Sequence, residues 1–419
     1  MKPSLWLACC AVAGSALGPA AWAQPQLAAS PAPPPATLSV SEPITTLAAA
    51  FESAWQRAVS ARESDGQRQR AAAERSAANS LWAAPPALEL NHRNDRFNSA
   101  GGRHETEVGL AWPLWLPGQR AARGAAAQSG MALADSALRA ARLRLAGEVR
   151  EAAWTLLAQR ADLAQADALV QTLAALRDDV QRRVNAGDLA RADALAASAE
   201  SWAATALQTE ARQRLLSAQT RWQLLTGVAA LPDAAKDTTP SGTVEHPEVQ
   251  LAALASELGR KRLHLVQVSR REPPELTLRY RQDVPGRAEA AQNSIGIGLR
   301  LPFGTDDRYQ PLLAAAQSEL DVARAQQERL QSRLAADLAE ARAALQAAGQ
   351  QLSAERTRAG LLQERADLIA KSFRAGETPL PDLLRALAAA AQADAAAARQ
   401  QTSMGLSRAR LHQALGLLP

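Results

Sequence analysis

Val108-Gly109-Leu110-Ala111-Trp112-Pro113 is answered, 189 residues later, by Ile297-Gly298-Leu299-Arg300-Leu301-Pro302. The same offset carries Ala186-Gly187-Asp188 onto Ala375-Gly376-Glu377, Asp193 onto Asp382 and Gly227 onto Gly416. Pro85-Pro86 returns as Pro273-Pro274 at an offset of 188, so a one-residue length change falls between the prolines and the Val108/Ile297 match. A constant offset sustained over about 140 residues means two copies of one structural unit. Each copy reads as helix, β-hairpin, very long helix, sharp turn and returning helix. The fold class is therefore mainly α with a small β part.

The quoted stretches read as strands. In the second copy Leu276, Leu278 and Tyr280 alternate with Glu275, Thr277, Arg279 and Arg281, and Ile295, Ile297, Leu299 and Leu301 alternate with Ser294, Gly296, Gly298 and Arg300. The first copy places Val108, Leu110 and Trp112 against Gly109 and Ala111. Period-two alternation over about nine residues gives a strand with one apolar and one polar or small face. Such strands could lie on a soluble core, but the length also suits a tilted membrane-spanning strand. Trp112, Trp115, Phe97, Tyr280, Phe303 and Tyr309 gather near the hairpin ends, where an aromatic girdle would lie, in a chain otherwise poor in aromatic residues. The membrane reading is the one adopted.

Around the hairpins the pattern is helical. A first helix is predicted from about Ile44 to Trp82, stopped by Pro85-Pro86. From about Gly118 to Val184, Val149, Ala152, Leu156, Leu163, Ala166, Val170, Leu173, Val180 and Val184 fall on steps of three and four, a coiled-coil seam, with Gln159 and Arg177 filling two gaps. A helix of that length spans about 100 Å, and the one from about Asp306 to Ala375 spans as much. The shorter helices 44–82 and 188–227, end to end, match the first long helix, and 246–270 with 379–416 match the second. The expected unit is a rod with the hairpin at one end and a tight turn at the other.

Composition narrows the possibilities. Lys2, the apolar run Leu5–Leu17 and Ala21-Trp22-Ala23 predict a secretory signal over residues 1–23. A lipoprotein signal at Cys9 or Cys10 is set aside because too little apolar sequence precedes them. Those are the two cysteines of the chain, so disulfides and thiolate sites are excluded after cleavage. Residues 24–43 read as an Ala/Pro-rich tether, 44–230 as the first repeat, 231–245 as a linker and 246–419 as the second repeat. The formal charge of +5 is carried mostly by arginines interspersed with carboxylates along helices, which argues against a nucleic-acid partner. No stretch beyond the signal reaches the length of apolar sequence a transmembrane helix needs.

Catalysis has little to rest on. His92, His104, His246, His264 and His412 never sit at metal-ligand spacing on one helix. Gly296-Ile297-Gly298 lacks the third glycine of a dinucleotide fingerprint and lies inside a strand. Asp178-Asp179 and Asp306-Asp307 are adjacent pairs that point apart on a helix, the second placed to cap the helix after Gly304. No enzyme, cofactor or metal site is predicted. The more specific signal is the pair of turns: Gly187 and Gly376 where long helices end, Asp188 and Glu377 directly after them, and Asp193 and Asp382 six residues beyond each glycine. A plain helical hairpin explains the glycines and the caps. It does not require the second acidic residue in both copies, so a contact site at the turns stands beside the structural reading.

These features resemble the TolC family, the outer-membrane factors of bacterial efflux and secretion systems. The resemblance rests on the duplicated helix–hairpin–helix unit, the strand-to-helix junctions at Pro113 and Pro302, and the repeated Gly-acidic-x4-Asp turn. Residues 112–123 and 186–193 look most like the CzcC branch, which serves heavy-metal cation exporters. The resemblance implies a homotrimer in which an α-helical barrel is topped by a shared twelve-stranded transmembrane β-barrel in outer-membrane lipid. It implies a periplasmic tip that includes Gly187, Asp188, Asp193, Gly376, Glu377 and Asp382. That tip would meet a periplasmic membrane-fusion adaptor coupled to an inner-membrane RND-type pump. Trp112, Trp115, Tyr280 and Phe303 would form the aromatic girdle. In better-known members a second acidic residue follows the one matching Asp382 by three positions; here Arg385 stands there. The implied function is a passive exit duct for heavy-metal cations. A duct for drug efflux or type I protein secretion is the alternative, and a periplasmic coiled-coil structural protein is the reading from a different class.

Overall fold

The computed structural model describes residues 46–95, 101–230, 245–287, 289–303 and 306–419. The signal segment, the tether, most of the 231–245 linker, Phe97 and Gly304 lie outside the described residues, as does the Asp306 side chain. The elements run α1 (Leu47–Arg57), α2 (Val59–Ala78), β1 (Ala87–Asn94), β2 (His104–Pro113), α3 (Gln119–Ala186), α4 (Arg191–Thr226), α5 (Pro247–Val268), β3 (Glu275–Val284), β4 (Gln292–Arg300), α6 (Asp306–Arg374) and α7 (Leu380–Ala414).

The long helices are unbroken over 68 residues in α3 and 69 in α6. Alanine-rich sequence favours this, and Pro311 is tolerated because it lies in the second turn of α6, where little of the helix precedes it. Along the seam of α3, Val149, Leu156, Leu173 and Val180 are buried. Each long helix ends at a glycine with positive φ, Gly187 at +88° and Gly376 at +79°. The Asp188 N–H donates to the Arg183 carbonyl and the Glu377 N–H to the Ser372 carbonyl, closing the two turns in the same six-to-one pattern. Gly227 and Gly416 end α4 and α7 with the same sign of φ.

The first helix differs from expectation. Ala58, with φ −67° and ψ 137°, divides it into α1 and α2. Neither Pro nor Gly marks the break. Its basis is tertiary: α1 leans onto the junction of α3 and α4, where Phe51, Trp55, Val149, Leu156 and Trp222 form one buried cluster. Arg142 lies over Phe51 and Trp55, 5.0 and 5.4 Å from their centroids, and pairs with Glu52 at 2.7 Å. Ser53 Oγ, in the middle of α1, donates to the Thr226 carbonyl, so α1 lies against the end of α4.

The four strands form one antiparallel sheet in the order β1-β2-β3-β4. The two hairpins are joined through β2 and β3, with Val108 opposite Tyr280, Leu110 opposite Leu278 and Trp112 opposite Leu276. The Leu114 N–H donates to the Pro274 carbonyl across the copies, and within the first copy the Pro113 carbonyl accepts from the Ala83 N–H. Among the described residues, β1 and β4 have no strand on their outer sides.

Candidate functional site

Register puts the large apolar side chains of the strands on one face of the sheet, with Ala87, Ala111 and Pro113 on the other. Leu88 and Leu90 of β1 lie opposite Leu110 and Val108, and Leu276, Leu278 and Tyr280 lie opposite Leu299, Ile297 and Ile295. This face is open: Leu88 is 71% and Ile297 79% exposed, and Leu301 and Phe303 continue it beyond β4. A contiguous apolar patch of this kind on an antiparallel sheet with two open edges calls for a covering medium, and the backbone groups along β1 and β4 need partners.

The opposite face is charged. Arg279 lies 3.4 Å from Glu107 and 3.8 Å from Glu89, bridging three strands, and Arg281 lies 3.0 Å from Glu105 and 3.4 Å from Asp283. Gly109 lies beneath this ladder, where a Cβ would make ordinary contact with Arg279 Cγ at 3.4 Å. Thr277 Oγ1 donates to the Gly298 carbonyl. One face thus suits hydrocarbon and the other suits water, which is the division found across the wall of a transmembrane barrel.

The aromatic positions lie at different heights along the sheet. Trp112 stacks on Trp82 with centroids 6.3 Å apart, and Trp115 donates to the Ser80 carbonyl while Arg123 lies over its ring. Both sit at the helical end of the sheet, as does Phe303, which is fully presented at 85% exposure. Tyr280 instead lies mid-strand. Tyr309 is buried at the start of α6 beneath Arg270, so it belongs to packing and not to the apolar face.

At the far ends of the long helices the two turns share one apolar cluster, in which Val180, Ala194 and Ala197 meet Phe373, Leu380 and Leu383. Arg183 ties them together: it lies 5.0 Å over the Phe373 ring and pairs with Asp179 at 3.0 Å. The structure therefore brings Gly187, Asp188, Asp193, Gly376, Glu377 and Asp382 to one end of the helices. Asp193 Oδ2 accepts from the Ala190 N–H and starts α4, whereas the backbone N–H groups of Asp188 and Glu377 close the preceding helices. Asp382 pairs with Arg385, the residue in the position where an acid was expected. The sequence pattern marked both residues but not their pairing. Asp178 and Asp179 are held by Arg177, Arg182 and Arg183, so they are surface ion pairs. Among the described residues no three His, Cys, Asp or Glu side chains gather as a metal site, and no helix is long and apolar enough to cross a membrane.

With this geometry in place, the chain can be compared with known proteins. The family model described as Outer membrane efflux protein matches residues 245–417, the second repeat nearly in full. No curated protein sequence matches the chain significantly. Among solved structures the chain is similar to CusC (TM-score 0.73, 16% identity, 91% of this chain and 96% of that one). It is also similar to the outer membrane channel MtrE of Neisseria gonorrhoeae in its open state (TM-score 0.72, 18% identity, 88% and 89%). The outer membrane protein VceC of Vibrio cholerae gives a TM-score of 0.70 at 17% identity, over 88% and 96% of the two chains. The second repeat is thus similar to the outer membrane efflux protein family. Over nearly its whole length the chain has the fold of outer-membrane channel proteins.

Proposed function

We propose that the whole chain, repeats 44–230 and 246–419 together, is the outer-membrane exit duct of a tripartite efflux system. The observation that carries this reading is the four-stranded sheet with one exposed apolar face, one charged face and two open edges, joined to helices far longer than a globular core requires. Four strands cannot close a barrel, because the smallest transmembrane barrels need about eight, and an open edge in lipid leaves backbone groups unsatisfied. Three chains pooling their strands give twelve. The sheet then sits in the outer membrane, its apolar face toward lipid, and the helices extend into the periplasm. Trp112, Trp115 and Phe303 lie at the periplasmic rim of the lipid-facing band. The end bearing Gly187, Asp188, Asp193, Gly376, Glu377 and Asp382 meets a periplasmic adaptor, through which the duct serves an RND-type inner-membrane pump. The duct is a passive channel and performs no chemistry.

The proposed cargo is heavy-metal cations, on the likeness of residues 112–123 and 186–193 to the CzcC branch. Deleting the gene should raise sensitivity to zinc, cobalt or cadmium, and restoring it should reverse that. Sensitivity only to drugs or detergents would move the reading to drug efflux. The duct itself is tested by purification from outer membranes: cross-linking should yield trimers that conduct in planar bilayers. A monomer with full β-content that does not conduct would overturn it.

A further inference from the structure

The register that separates the two faces of the sheet also fixes where its outward face changes character. From the helical end, the rows on that face are Trp112–Leu276–Leu299, then Leu88–Leu110–Leu278–Ile297, then Leu90–Val108–Tyr280–Ile295. The next row is His92–Thr106–Gln282–Asn293, with Asn94 and His104 above it. One pleat along, all four strands therefore change from apolar or aromatic side chains to hydrogen-bonding ones. Rows two residues apart are separated by about 6.7 Å, so three apolar rows cover about 13 Å, against about 25 Å for the lipid-facing band of a membrane barrel. The remaining height comes from the helical end, where exposed Leu301 and Phe303 continue the face. It does not come from beyond Tyr280. The outer limit of the hydrocarbon thus falls at the Tyr280 row, where an amphipathic ring is at home, and this accounts for an aromatic residue in mid-strand.

The row above that limit has a definite chemistry. The strands carry five acidic residues, Glu89, Glu105, Glu107, Glu275 and Asp283, and register turns all five to the charged face. The outward face of the strands has none; donors stand there instead. Asn94 Nδ2 lies 3.4 Å from His92 Nε2, and His92 Nδ1 lies 3.0 Å from Thr106 Oγ1. An amide nitrogen only donates, so in the neutral ring Nε2 accepts and Nδ1 donates to the Thr106 oxygen. The Thr106 hydroxyl hydrogen is then left for an acceptor outside the chain. At the same end of the sheet, the exposed Arg287 guanidinium has no ion-pair partner among the described residues.

We propose that the row His92–Thr106–Gln282–Asn293, with Asn94 and His104 above it, binds the phosphorylated sugar headgroup of the outer-leaflet glycolipid, lipopolysaccharide. The inference rests on the duct reading, which puts this end of the sheet at the outer leaflet. Phosphate oxygens accept several hydrogen bonds, and their charge strengthens each one. A surface that offers donors and withholds carboxylates directly above the acyl chains is complementary to such a group. Continuity with the lipid-facing rows selects a headgroup over a soluble partner.

The test returns purified full-length protein to phosphatidylethanolamine vesicles holding either lipid A with both phosphates or lipid A from which a phosphatase has removed them. After re-extraction in detergent, wild type should retain about tenfold more of the phosphorylated lipid than of the other. The variant His92→Leu/Thr106→Val/Gln282→Leu should lose that preference while still forming trimers. Equal retention of the two lipids by wild type, or an undiminished preference in the variant, would overturn the proposal. Stabilisation of wild type by inorganic phosphate alone, as strong as by the phosphorylated lipid, would show a free-anion site and overturn it too. Where the triple variant fails to assemble, depth decides. The repeats contain no cysteine, so spin labels on Val108→Cys and Thr106→Cys each report from one position. The label at 108 should be relaxed by oxygen, as in hydrocarbon, and the label at 106 by a water-soluble nickel chelate. A label at 106 as deep as that at 108 would overturn the headgroup row. Conducting trimers that give any of these negative results leave the duct intact; protein that never inserts into vesicles would overturn the duct reading and this one with it.

Discussion

Gly405 and His246 show what single residues do here that a pattern search passes over. Gly405 sits in the middle of α7, where glycine weakens a helix relative to alanine, yet the Trp154 indole occupies the space its side chain would need. Gly405→Ala should therefore destabilise the α3–α7 seam by about 1–3 kcal/mol instead of strengthening the helix. Pairing it with Trp154→Ala should recover part of the loss in thermal melts; a stabilised single variant would show that the indole moves away freely. His246 is the N-cap of α5, its Nδ1 accepting from the Glu248 N–H. Burial holds its pKa below the usual histidine value, outweighing a hydrogen bond to the Gln413 backbone and the nearby Glu248 carboxylate. The folded state thus favours the neutral ring. The stabilisation is fully present above the unfolded value of about 6.5 and is lost as pH falls from there through the folded pKa. His246→Asn keeps a cap acceptor but does not titrate, so its melting temperature should fall less than wild type between pH 7.5 and 5. Parallel curves would remove His246 from the acid response.

At the scale of elements, the two turns combine a structural device with a charged one. Positive φ at Gly187 and Gly376 is what lets the long helices stop and the chain reverse. Replacing both with valine should cost about 1–2 kcal/mol at each turn and speed amide exchange there, while the sheet stays protected. The turn motifs were legible because a left-handed cap and a helix start are local, written within six residues. The relation of Asp382 to Arg385 changes what the tip can do. A ring of unpaired Asp382 carboxylates would favour cations, but Arg385 already answers that charge in each chain. Arg385→Ala should therefore increase cation preference in planar bilayers more than Asp382→Asn reduces it. Reversal potentials unchanged in both variants would place the selective constriction elsewhere. The break at Ala58 was not legible, since it follows from α1 packing against Val149 and Trp222 and from no local signal.

For the whole molecule, the proposed duct would differ from a carrier in lacking a tight site for its cargo. The five histidines remain apart and no metal-binding cluster forms among the described residues. Titration calorimetry with zinc, cobalt or cadmium should show no stoichiometric binding; a micromolar or tighter site would mean that the assembled protein builds one from several chains.

The amino-acid sequence by itself determined the duplication, the alternation of the strands, the continuous long helices and the glycine turns. Each depends on φ/ψ preference or on a period of two or about three and a half residues, and those are properties of neighbours along the chain. Tertiary structure alone decided which equivalent residues meet. Glu151 finds Arg410 and Trp154 finds Gly405, while at the equivalent positions one repeat away Glu340, Arg221, Ala343 and Leu216 are exposed. The reason is geometric. A tandem repeat offers the same contact twice, but the copies in a single chain need not meet twice in the same way, and periodicity does not say which of the two contacts forms.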